Sequence, residues 1–156
     1  MSALEMQETV QILEIVKEEL IAAPIDVVFE AILEEMGPGF ETPDGTSLQM
    51  KLEAWPGGRW YRDLGNNMGH FWGHVQAIKA PNLIEICGPL FMSVPAMSNV
   101  QYRLASEGND TRLKFCHRAA GWILPEHRDG FRIGGGWESM LARVKRGAEK
   151  KKSKVT

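Results

Sequence analysis

The sequence predicts one α+β domain in which a curved antiparallel sheet packs against a long C-terminal helix. Three observations carry that expectation. The segment Pro125–Ala148 places apolar residues at Ile133, Trp137, Met140, Leu141, Val144 and Ala148. Spacings of three and four put them on one stripe of an α-helix, while Glu138, Ser139, Arg143, Lys145 and Arg146 fill the other side. The middle of the chain instead alternates with a period of two, as half-buried strands do. Finally, no strand–helix–strand unit recurs, so a parallel sheet is not expected.

In chain order, Val10–Ile21 reads as a strand whose two faces are ambiguous, stopped by Ala23-Pro24. Proline suits the first turn of a helix, and Val27, Val28, Ala31, Ile32 and Met36 then recur at helical spacing until Gly37-Pro38-Gly39. Phe40–Ser47 reads as a loop turning at Pro43-Asp44-Gly45. Strands are expected at Leu48–Ala54, Arg59–Leu64, Met68–Ile78 and Leu83–Cys87, separated by turns at Pro56-Gly57-Gly58, Gly65-Asn66-Asn67 and Ala80-Pro81-Asn82. Gly88–Met97 is apolar and interrupted by proline; it folds back on the core, rims a cavity mouth or makes a dimer contact. A last hairpin, Ser98–Leu104 and Thr111–Ala119, directs Val100, Tyr102, Leu104, Leu113, Phe115 and His117 inward. The glycines at 134–136 mark where the final helix begins or breaks. The domain is expected over residues 10–148, with 1–9 and 149–156 as flexible termini.

The totals exclude several function classes. A chain of 156 residues with a formal net charge of −2 has no bulk attraction for nucleic acid or an anionic membrane. No apolar run approaches the roughly 20 residues that span a bilayer, and the first ten residues lack a signal-peptide core. Cys87 and Cys116 stand apart without a CxxC spacing, as reduced thiols of a cytoplasmic protein do. The phosphate-loop, dinucleotide, nucleophile-elbow, EF-hand and zinc-finger motifs are missing, so no cofactor is expected.

A set of short marks carries a family resemblance. Ile21-Ala22-Ala23-Pro24 leads into Val27-Val28-Phe29, followed by Gly57-Gly58, Gly73-His74-Val75, Ala80-Pro81-Asn82-Leu83, Thr111-Arg112-Leu113 and Gly136-Trp137. In that order they resemble the START/Bet v1-like helix-grip superfamily (SRPBCC), nearest its Hsp90-ATPase-activator-like and polyketide-cyclase-like branch. The resemblance runs over most of the chain. It implies a cavity between sheet and long helix that accepts an apolar small molecule or lipid-like ligand. The same fold hosts carriers, cyclases and co-chaperone domains, so a cyclase- or lyase-like enzyme and a chaperone-associated module stand as alternatives.

Few constellations offer chemistry. His70 and His74 on a strand lie about 13 Å apart, too far to share a metal ion. His117 is either a buried histidine bonded to a backbone carbonyl or to Tyr102, or a polar anchor inside an apolar cavity; with Tyr102 it is the one candidate proton-handling pair. Trp137 anchors the helix, while Trp60 and Trp72 are left undecided between wall and outer face. The ligand site is expected at Tyr102, Leu113, Phe115, His117, Trp137, Met140 and Leu141, with no catalytic and no metal-binding residue assigned.

Overall fold

Period-two alternation along the first strand resolves the ambiguity of its faces. The computed structural model describes residues 9–132 and 135–155. In β1 (Gln11–Ile21), Leu13, Ile15 and Ile21 are buried while Ile12, Val16 and Leu20 are exposed. Helix α1 (Ile25–Met36) follows, entered through Pro24 and closed by Gly37. Six further strands then run as β2 (Met50–Leu52), β3 (Arg59–Gly65), β4 (Met68–Lys79), β5 (Leu83–Gly88), β6 (Ala96–Glu107) and β7 (Asp110–Gly121). All pairings are antiparallel in one curved, open sheet of order β1-β7-β6-β5-β4-β3-β2. The first strand therefore pairs with the last, and the core lies between the concave face and the helices.

Several boundaries differ from the sequence reading. The expected strand Leu48–Ala54 shrinks to three residues, because Gln49 takes a positive φ of 54° and Glu53 turns aside to bind Arg59. The long C-terminal segment is two helices, α2 (Pro125–Arg132) and α3 (Gly136–Val155). Gly135, at φ 72°, stands before α3 in a conformation that favours glycine. The helix also continues past Ala148: 149–155 is helical, and its run of lysines is made of good helix formers. The apolar stripe of α3 holds as read, with Trp137, Met140, Leu141, Val144 and Ala148 all buried. Ile133, assigned to that stripe from the sequence, lies outside the described residues.

Side chains lock the helices together and cover the free edge of β1. Arg143 of α3 meets Glu35 of α1 at 2.8 Å, with both side chains largely buried. Its guanidinium also donates to the Glu41 carbonyl at 3.0 Å, pinning the segment that follows α1. On the sheet edge, Arg128 and Arg132 of α2 donate to the carbonyls of Ile12 and Glu14.

Candidate functional site

The β6–β7 hairpin presents Tyr102, Leu113, Phe115 and His117 to the core because alternate residues of a strand share a face. Helix α3 brings Trp137, Met140 and Leu141 down onto them. The Phe115 ring lies 4.8 Å from Trp137 and 5.1 Å from Tyr102, and the Tyr102 hydroxyl donates to the Met140 sulfur at 3.1 Å. All seven residues chosen from the sequence are buried in the core, and the rings of Tyr102, Phe115 and Trp137 make one packed layer.

His117 is held at both nitrogens. The indole N–H of Trp137 can only donate, so the His117 Nδ1 that it meets at 3.0 Å must be an acceptor. The hydrogen of the neutral ring then sits on Nε2 and donates to the Ser98 hydroxyl at 2.8 Å. This corrects the sequence reading, which paired the ring with a carbonyl or with Tyr102. Burial lowers the imidazole pKa to about 4 and pushes the Tyr102 phenol far above its ordinary range. A base whose lone pair already accepts an indole N–H is not poised to take a proton.

The opening in the core lies beside this layer. A pocket of about 270 Å³ sits where the start of α3 meets the far half of the sheet. Trp72 of β4 forms its floor, Leu90 and Phe91 come from the segment after β5, and Gly130 and Phe131 from the end of α2. Gly136 and Trp137 open α3 there, and Phe40, Glu41, Thr42, Pro43 and Leu48 follow α1. Centroid distances of 5.6 Å for Phe40–Trp72, 6.0 Å for Trp72–Phe91, 4.6 Å for Phe91–Phe131 and 6.3 Å for Phe131–Trp137 make the aromatic lining continuous. Behind it, Trp60 packs on Trp72 at 5.2 Å and donates its indole N–H to the Met36 carbonyl.

Of the seven sequence-chosen residues, Trp137 lines this pocket; the other six are not among its walls. Large rings from β6, β7 and α3 fill the space directly beneath the helix and leave the gap toward β4. The segment Gly88–Met97 combines two of its anticipated roles, since Leu90 and Met92 are 1% exposed while Leu90 and Phe91 also line the pocket. Phe40 and Phe131 were missed as lining residues, and Trp72, left undecided between wall and outer face, is a wall. Trp72 is the extra residue of a β-bulge, where Trp60 pairs with Gly73 and Tyr61 with Phe71. That bulge also separates the histidines. His70 shares the concave side with Trp72, whose indole N–H it accepts at 3.2 Å, while His74 stacks edge-on with exposed Phe71 at 4.6 Å.

Comparison with known proteins follows this architecture. A protein from Rhizobium leguminosarum of solved structure is 21% identical, covering 91% of this chain and 97% of its own with a TM-score of 0.67. CalU16 from Micromonospora echinospora is 21% identical over 94% and 89%, with a TM-score of 0.58. The di-domain ARO/CYC StfQ from the steffimycin biosynthetic pathway is 12% identical over 90% of this chain and 51% of its own, with a TM-score of 0.62. At these identities the likeness establishes the Bet v1-like α+β fold. Among curated proteins none matches. Residues 22–149 match the sequence profile described as "Activator of Hsp90 ATPase homolog 1-like protein", from the end of β1 well into α3. The chain belongs to that AHSA1-like family, within the helix-grip superfamily its motifs resemble.

Proposed function

We propose that the chain binds a hydrophobic small molecule or lipid-like ligand in the aromatic pocket and holds it without chemistry. The observation that carries this reading is the continuous lining of Phe40, Trp72, Phe91, Phe131 and Trp137 around an open volume at the edge of an otherwise filled core. Apolar surface that remains wet favours an apolar guest, by about 25 cal/mol for each Å² covered. Turnover is the weaker reading. The proton-handling pair it needs is occupied, His117 by Trp137 and Ser98 and Tyr102 by Met140.

Gly130 supplies the test. A Cβ built there meets only the rim of Phe91, at 3.7 Å, and the residue lies inside α2. Gly130→Leu therefore grows into the pocket while favouring the helix. An environment-sensitive apolar dye is expected to bind the wild type and to lose at least about tenfold in affinity for Gly130→Leu. A folded Gly130→Leu protein with unchanged dye affinity would place the ligand elsewhere. Native mass spectrometry of freshly purified protein reads out a retained guest and the assembly state together.

The family description supports a second reading, a contact with a chaperone. A pull-down with Hsp90, repeated with Gly130→Leu, separates the two: a surface contact survives the filled pocket.

A further inference from the structure

Beyond the aromatic lining, the concave face carries a cation with no counter-ion among the described residues. Met50, Arg62 and His70 form one row across β2, β3 and β4, with Arg62 directly opposite both neighbours. Cross-strand partners share a face. Met50 is buried and His70 bonds to Trp72, which places the row on the inner side. The Nε of Arg62 is buried and has no hydrogen-bond partner, and among the described residues no carboxylate pairs with its guanidinium. The adjacent acid, Asp63, is engaged by Lys51 at 2.7 Å. A desolvated donor on a charged group is costly to leave unmet, so the Nε hydrogen of Arg62 calls for an acceptor.

His70 adds a second donor of the same sense. Trp72 donates its indole hydrogen to His70 Nδ1, so the hydrogen of the neutral ring lies on Nε2. Trp72 is at once that donor and a wall of the aromatic pocket. Trp72 thus links the polar row to the apolar cavity, while Arg62 and His70 themselves line a separate opening at the β3–β4 hairpin.

We propose that Arg62 and His70 form a head-group subsite for a carboxylate, so that the ligand is an amphipathic acid whose apolar body fills the pocket. The inference rests on the pocket reading above and sharpens it. Arg62 supplies a planar fork that matches the two carboxylate oxygens, and His70 a single N–H beside it. The polarity of the ligand is thus set: acid toward the β3–β4 hairpin, apolar body toward α2 and the start of α3.

Titration calorimetry with octanoate, octanol and octylammonium tests this on the whole protein. Wild type is expected to bind octanoate at least about tenfold more tightly than octanol, with octylammonium weakest. Arg62→Leu is expected to abolish the preference for octanoate over octanol, and Arg62→Lys to recover only part of it. The same Arg62→Leu variant without ligand should melt no lower than wild type, since it removes an unmet buried donor; a purely structural arginine would lower the midpoint. Equal affinity for octanoate and octanol in wild type, or a preference that survives Arg62→Leu, overturns the head-group subsite and leaves the pocket standing. No binding of any of the three removes both.

Discussion

Single side chains set the chemistry of this core, and His117 sets its response to acid. Burial holds its folded pKa at about 4, below the ordinary 6.5, so the unfolded chain binds the extra proton first as pH falls. Its contribution to stability is fully present above about pH 6.5 and is lost as pH falls toward 4. The full loss is on the order of 3 kcal/mol from the shift between those two values. Denaturant midpoints measured between pH 7 and 4 should decline, and the decline should be smaller in His117→Gln. An equal slope in both proteins would assign the acid sensitivity to other groups. Ser98→Ala leaves the Nε2 hydrogen unmet and is expected to cost about 1–3 kcal/mol. Trp137→Ala loses a buried ring together with its bond to His117, and about 3–5 kcal/mol is expected in urea unfolding.

At the scale of elements, legibility followed period. The β6–β7 hairpin and the stripe of α3 were readable because alternation by two, and by three and four, names the inward face directly. Beyond Trp137 and the Gly88–Met97 segment, the pocket was not readable for the same reason. Its walls come from a bulge at Trp72, two separate irregular segments at Phe40 and at Phe91, and a short helix at Phe131, none of which repeats a pattern. Inward direction identifies core, and core residues such as Phe115 and Met140 are the ones that fill space rather than border it. The elements still carry local imperfections. Gly147 lies inside α3, where an added Cβ meets nothing within 4 Å. Gly147→Ala is therefore expected to stabilise by about 0.5–1 kcal/mol, read as a higher thermal midpoint; a lower one would mean that the helix is strained there.

The whole molecule is an open sheet, and an open sheet has edges that recruit other strands. Along β1, exposed Ile12, Val16 and Leu20 would favour such pairing, but the Ile12 and Glu14 carbonyls are already taken by Arg128 and Arg132. The double variant Arg128→Ala/Arg132→Ala should shift toward larger species with concentration in analytical ultracentrifugation. Unchanged sedimentation across the range would show that the arginines do not guard the edge. Within the described residues no helix is long and apolar enough to cross a membrane. The aromatic contact behind the pocket has an optical consequence. Trp60 and Trp72 stand 5.2 Å apart with their planes at 76°, close enough for their excited states to mix. Such a pair produces a split circular-dichroism band whose size depends on the angle between the rings. Because one ring borders the guest and the other is clamped to the end of α1, occupancy that tilts Trp72 is written into the spectrum of the unlabelled protein.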